Sequence, residues 1–538
     1  MRVPDLLGTL LHREHSRAYR EAVAAELPKL APPKPPSEVM EEARGRLGGP
    51  MALTFGKLPS GQIVRVKGDT SLRSALVIGA PGSGKTRFLL GLLIELISRA
   101  LRDEVEFELV DPKTETYSLT CQILAALYLG GDMALRQAIR KRVRVIDWSR
   151  EAVSPVTPFD NAEGIVSNAY LAHLRTDATV QASPQTYTES LKQALFMLSW
   201  LLTEKGFPPN VRLVFKLYSD PAFRAKLIAD VGEPDLRNYF AELDRRIARP
   251  TVDALLRRFQ SDLAFPEVRL SVGIPPGSLR NILPPGSPRI TLGNYGSGMA
   301  LPASVGKERA AHRVTDVLLR APRRNPKRPG LLFLEEAPTL LAGGSELVEP
   351  LTTAARTLRS VGFGVVFCGQ DVANALAGPM VRTLQLNTWW WAIFRSHEES
   401  DWIYPHLLVD EAGAALSEGE RQREFRRIMV GLPKQRYFLY VKGEPALAMR
   451  APTVADPHVT AKLTEAELLK VFRTEIASAS MVPAATAADL IAQFEATVVD
   501  RATIPPPPAK KAPPKGAAPV RGIADLLRMV GGSPGTGA

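Results

Sequence analysis

Eight consecutive residues carry the plainest chemistry in the chain: Gly79, Ala80, Pro81, Gly82, Ser83, Gly84, Lys85 and Thr86. They fit the pattern G-x-x-x-x-G-K-[ST]. Glycines let the backbone wrap closely, so its N–H groups can point at phosphate oxygens. The helix that follows adds a favourable dipole at its N-terminus. In such a loop Lys85 reaches the β- and γ-phosphates and the Thr86 hydroxyl ligates Mg²⁺. The apolar stretch Ala75–Ile78 before the loop and the long apolar-periodic stretch after it supply the strand and helix that the pattern requires. The chemistry expected here is binding of a nucleoside triphosphate with magnesium.

A phosphate-cleaving site of this kind also needs an acid at the carboxyl end of a second strand. Gly330-Leu-Leu-Phe-Leu-Glu335-Glu336 provides a pair. Glu335 is expected to hold Mg²⁺, directly or through water, and Glu336 to polarise the attacking water. The next apolar stretch, Val361 to Cys368, closes on Gln370, which could sense the terminal phosphate. Arg356 and Arg359 lie one turn apart on an expected helix upstream. Either could reach the phosphates of a neighbouring subunit, and a solvated helix face is the alternative. Asp111 and Asp147 end two further strands, where they either line the ligand site or cap the next helix.

The elements that position these groups alternate in type. Strands are expected at 75–78, 105–110 and 143–146, with helices over 86–101 and from about 112 to 129. That alternation means a parallel sheet covered by helices. From about 161 to 263 the pattern is helical only, and strands resume at 289–292, 331–334, 364–367, 390–394 and 436–440. The fold class is α/β: a RecA-like P-loop NTPase core with a parallel-rich central sheet, interrupted by an all-alpha domain. The divisions are 1–36, an N-terminal helix and Pro-rich linker; 37–160, the first part of the nucleotide-binding domain; 161–285, the all-alpha insert; 286–460, the second part of the nucleotide-binding domain; 461–502, C-terminal helices; and 503–538, a Pro-rich tail with a short amphipathic segment near 522–530.

Bulk composition narrows the classes further. With 538 residues and 45% hydrophobic content the chain can bury sizeable cores. The net charge of +12 favours a polyanionic partner, nucleic acid or an anionic membrane surface. Arg140–Arg144, Arg245–Arg249, Arg257–Arg258, Arg320–Arg328 and Arg426–Arg427 are the candidate phosphate contacts, and each is equally a solvated face. Trp389–Trp391 suggests either base stacking or core packing, and its apolar setting favours the core. Only two cysteines occur, far apart, which argues against a zinc site or disulfide scaffold and fits a reducing cytosol. No stretch approaches the roughly 20 apolar residues of a membrane span. A cytoplasmic location is expected, with membrane contact only peripheral or through a partner.

Taken in order, these motifs resemble the conjugative coupling ATPases of type IV secretion systems, within the FtsK/HerA branch of RecA-like motors. The resemblance rests on Leu53–Lys57, the glycine loop, Val110-Asp-Pro-Lys-Thr-Glu115, Glu335-Glu336, Arg359 to Gly362 leading to Gln370, Asn387 before the tryptophans, and Leu432-Pro-Lys434. It covers about residues 50–455. It implies ATP and Mg²⁺ as ligands, DNA-dependent ATP hydrolysis, Arg359 as a finger acting in trans, Gln370 as the sensor, and substrate recognition by the helical insert. It also implies a homo-oligomer, a hexameric ring, sequence-independent DNA contact, and a relaxase or secretion-channel components as partners. The chain departs from the family at Glu335, where Asp is usual, at Thr114, where Gly is usual, and in lacking N-terminal membrane helices. A substrate-docking module with weak turnover and a cytosolic DNA pump unrelated to secretion are the other readings.

Overall fold

The computed structural model describes residues 52–148, 151–156, 197, 201, 211–229, 231–241, 243, 263–275, 288–296, 302–321, 328–341, 351, 358–370, 372, 376, 378–407 and 416–503. The expected N-terminal helix, both Pro-rich stretches, Arg356 and much of the expected all-alpha insert lie outside these residues.

The chain enters through β1 (Leu53–Lys57) and β2 (Ile63–Val66), an antiparallel pair with a bulge between Thr54 and Gly56. Then come β3 (Ala75–Ile78), β4 (Glu106–Asp111), β5 (Val143–Ile146), the two-residue β6 (Ala152–Val153) and β7 (Ile290–Asn294). They are followed by β8 (Gly330–Leu334), β9 (Phe363–Gly369), β10 (Trp390–Ile393), β11 (Arg436–Val441), β12 (Leu447–Arg450) and β13 (Val482–Pro483). Among the described residues these make an 11-stranded sheet in the order β2-β1-β12-β11-β10-β3-β9-β8-β4-β7-β5, and a small sheet of β13 with β6. The run from β10 to β5 is parallel throughout, and the edge from β10 to β2 is antiparallel.

The central parallel strands β3, β8 and β9 carry no charged residue because both faces are covered. Every residue of β3, β8 and β9 is buried. Alternate side chains serve opposite faces. Leu76, Ile78, Leu332, Leu334, Val365 and Phe367 enter one core, and Ala75, Val77, Leu331, Phe333, Val366 and Cys368 the other. The second core is filled by helix α1 (Lys85–Leu101), buried at every position from Phe88 to Ala100. A helix sunk that deeply carries Glu95 and Arg99 inside only because both are partnered. The Glu95 carboxylate accepts the Thr54 N–H at 3.0 Å, and Arg99 donates to the Ala52 carbonyl at 2.9 Å. Burial pushes the Glu95 carboxyl above its ordinary range. These bonds anchor the entry strand to the central helix.

Helix α2 (Glu115–Gly130) and helix α3 (Met133–Arg142) complete that face. Between β6 and β7 the described elements are helices: Val211–Ser219, Pro221–Ile228, Pro234–Ala241 and Pro266–Gly273. The second of these starts where the Asp220 carboxylate caps the Phe223 N–H at 2.9 Å, with Pro221 in the first turn.

The C-terminal helices divide their contacts in a way the sequence pattern does not show. Glu465–Val471 packs on α2, while Ala484–Thr503 packs on Pro221–Ile228 and Pro266–Gly273. Ile491 and Ala487 join Val153, Ile274 and Val482 in a small separate core. The last helix therefore belongs by contact to the inserted helices, and β13 ties it to the core through β6. No helix among the described residues is long and apolar enough to cross a membrane.

The three tryptophans separate. Trp390 and Trp391 are buried in the core, the first against Phe55 and the second against Tyr440. Trp389 lies under the Arg73 guanidinium, 3.8 Å from ring centre to carbon.

Candidate functional site

Sheet order decides which side chains meet. β9 lies between β3, which leads into the glycine loop, and β8, which ends in the acidic pair; β4 flanks β8 on the far side. All four run parallel, so their carboxyl ends open on one edge. There a cleft of about 360 Å³ is lined by Pro81, Gly82, Ser83, Gly84, Lys85 and Thr86 on one wall. Asp111, Lys113, Thr116, Glu335, Glu336 and Gln370 form the facing wall. The structure thus brings together the loop, both acids and Gln370.

The loop is held from behind. Gly84 has φ +109°, a conformation that side chains rarely adopt, and a Cβ there would stand 2.9 Å from the Gln435 nitrogen. The Gln435 N–H donates to the Ser83 carbonyl at 2.7 Å. The turn at Lys434-Gln435, which precedes β11, is therefore the loop's rear wall, and Lys434 also lines the cleft. In the loop the Lys85 ammonium donates to the Gly79 carbonyl and, at 3.2 Å, to that of Ala80. Burial lowers its pKa, against the pull of Glu335 and Glu336. The Ser83 hydroxyl is buried without a hydrogen-bond partner. An orphaned hydroxyl, a buried ammonium and a glycine-lined cradle suit a polyphosphate.

Across the cleft, Glu335 is buried and accepts the Thr116 hydroxyl at 2.6 Å. Burial, reinforced by the nearby Asp111 carboxylate, pushes its pKa up to about 8. Glu335 and Thr86 line the same cleft, and a nearby cation would favour ionisation of an acid that burial alone keeps protonated. Glu336 adopts a left-handed backbone, φ +48°. Its Oε1 accepts from Lys113 Nζ at 2.5 Å and from Gln370 Nε2 at 3.2 Å. Gln370 thus touches the acid rather than standing apart.

Asp111 both lines the cleft and caps a helix. Its carboxylate accepts the N–H groups of Lys113 at 2.8 Å, Thr114 at 3.0 Å and Tyr117 at 2.9 Å. Asp147 does not reach the cleft. It accepts from the Tyr117 hydroxyl at 3.2 Å and the Asn294 amide at 3.3 Å. Thr114 has φ +70°, which explains why glycine suits this position; its hydroxyl donates to Asn294 Oδ1 at 3.0 Å.

The main chain of Arg359 lies in the turn Leu358–Val361, which enters β9 at its amino end. A seven-residue strand separates that position from Gln370 by on the order of 20 Å. Lys113, Thr116, Arg87 and Lys434 were not among the residues the motifs singled out for chemistry, although all four line it. Lys113 and Lys434 stand inside recognised motifs; Thr116 gives no signal until β8 brings Glu335 to it.

Several arginines expected to meet phosphates are engaged elsewhere, because each lies beside an acid. Arg142 and Arg328 converge on Asp103, joined there by Arg289, which was not among the expected contacts. Arg426 pairs with Asp401 at 2.5 Å and Arg427 with Glu424 at 2.6 Å. Arg140 and Lys141 stay exposed. The clusters at 245–249 and 257–258 lie outside the described residues.

Residues 48–127 match the model of the FtsK/SpoIIIE family. No curated protein matches the chain. Among solved structures, the unbound bacterial conjugative coupling protein TrwBdeltaN70 is similar at 15% identity and a TM-score of 0.50, over 79% of this chain and 96% of that one. Plasmid coupling protein TrwB in complex with ADP and Mg²⁺ gives 17% and 0.47, over 79% and 96%. VirB4 of Thermoanaerobacter pseudethanolicus gives 16% and 0.44, over 77% and 98%. Likeness at such identities is one of fold. Joined to the glycine loop and to the family match around it, that fold is the RecA-like P-loop ATPase fold.

Proposed function

We propose that this ATPase drives DNA, or a DNA–protein substrate, towards a conjugative type IV secretion channel. One observation carries the reading: Lys85 and Thr86 face Glu335, Glu336 and Gln370 across a single cleft at the carboxyl ends of parallel strands. Such a cleft binds a triphosphate and cleaves it. Lys85 and the loop N–H groups hold the phosphates. Thr86 and Glu335 are the residues that would hold Mg²⁺, which offsets phosphate charge when bound. Glu336 orients a water and takes its proton as the water oxygen bonds to the terminal phosphorus. The bond from that phosphorus to the ADP oxygen breaks.

The net charge of +12 and the coupling-protein fold support a nucleic-acid cargo. The position of Arg359, at the sheet end away from its own cleft, supports action on the cleft of a neighbouring copy and hence a ring, a hexamer by likeness to the family. A relaxase and secretion-channel components are the partners that role requires, at the inner face of the cell membrane. The test is steady-state hydrolysis with and without DNA. DNA is expected to raise the rate severalfold, and Lys85→Ala or Glu336→Gln to remove at least about 100-fold of it. Equal slow turnover regardless of DNA would leave a docking module. That second reading draws on Glu335, whose pKa near 8 disfavours a metal-gripping charge at neutral pH.

A further inference from the structure

We infer that Lys113 is the residue that recognises the third phosphate, and that it exchanges Glu336 for it. The inference rests on the nucleotide-binding reading above and names a role inside that site.

Three lysines line the cleft: Lys85, Lys434 behind the glycine loop, and Lys113. Lys85 rises from the glycine loop, and Lys113 stands on the turn between β4 and α2, beside the acidic pair. A diphosphate fills the loop and Lys85. A third phosphate must extend beyond Lys85 towards the end of β8, where Lys113 and Glu336 are joined at 2.5 Å.

Lys113 is built to let go of that partner. Its main chain is fixed, since its N–H donates to Asp111 Oδ1 at 2.8 Å. Its side chain is 52% exposed, whereas that of Glu336 is only 13% exposed. The lysine is thus the arm free to swing, and the glutamate is the fixed end. A half-exposed ion pair is weak, and a terminal phosphate carries more charge and more acceptors than one carboxylate.

The exchange has a consequence for the acid. While Lys113 and Gln370 both donate to Oε1, that oxygen is taken. Transfer of the ammonium to phosphate removes one of the two donors from that oxygen and leaves Gln370 as the other. Lys113 therefore links arrival of the complete substrate to the readiness of Glu336, and ADP does not trigger it.

Titration calorimetry of the full chain with ADP and with a non-hydrolysable ATP analogue, both with Mg²⁺, tests this. Lys113→Met is expected to bind ADP as the parent does and to lose about tenfold in affinity for the analogue. Lys113→Arg is expected to recover part of that loss, and kcat to fall in the Met variant. Thermal midpoints without ligand should stay close, since the Lys113 side chain is half exposed. An unchanged ratio of analogue to ADP affinity in Lys113→Met would overturn the role of Lys113 alone. Equal losses for both ligands would assign Lys113 to general phosphate attraction and also overturn it. A parent protein that binds neither ligand would overturn the function reading and this inference together.

Discussion

At the scale of single residues, Glu335 shows how a site can be set by burial. Its carboxyl is enclosed, faces Asp111 and receives the Thr116 hydroxyl. With a pKa near 8 against an ordinary 4.5, the folded protein keeps a proton that the unfolded chain releases. The resulting stability is fully present below about pH 4.5 and is lost as pH rises through 8. The unliganded thermal midpoint is expected to fall between pH 5 and 8.5, and Glu335→Gln to flatten that slope. Over the same interval a divalent cation competes better with the departing proton, so Mg²⁺–nucleotide affinity should rise with pH in the parent and not in the variant. Calorimetric scans and binding titrations across pH check both. The chemistry of Gly79–Thr86 and of the acidic pair was legible in the sequence because loop, strand and helix lie in one contiguous stretch. The partners were not: Thr116 and Glu335 are separated by 219 positions. No local pattern encodes the hydroxyl that one supplies to the other.

At the scale of elements, the turn before α2 combines strain with compensation. A left-handed threonine costs roughly 1–2 kcal/mol, and the Thr114–Asn294 bond at 3.0 Å returns part of it. Thr114→Val keeps the strain and loses the bond, so it should destabilise by about 1 kcal/mol or more. Thr114→Gly loses both and should stay within about 1 kcal/mol of the parent. Denaturant midpoints rank the two, and a glycine variant much weaker than the valine one would contradict the account. The long parallel strands were readable because apolar runs bounded by loops are distinctive. β12 was missed because Leu447-Ala-Met-Arg450 alternates too weakly, and β6 and β13 because two residues carry no period.

At the scale of the molecule, the terminal helix Ala484–Thr503 closes the inserted helices onto the core. Ile491, 5% exposed, fits against Gly273, where an added Cβ would lie 2.9 Å from its Cδ1. Ile491→Ala should cost about 2–4 kcal/mol at that contact. The terminal helix should then be clipped first in limited proteolysis, with nucleotide binding retained because the cleft lies elsewhere. Simultaneous loss of the whole fold would argue against a separable clasp. Sequence order assigns this helix to the C-terminus, and only packing shows whom it serves.

The turn behind the glycine loop has a mechanical meaning. With Gln435 pressed against Gly84 and bonded to Ser83, the phosphate cradle has an anvil at its back. A loop so backed resists displacement away from the cleft. The half-exposed Lys113 arm on the facing wall, set between β4 and α2, has no such backing and more room to move.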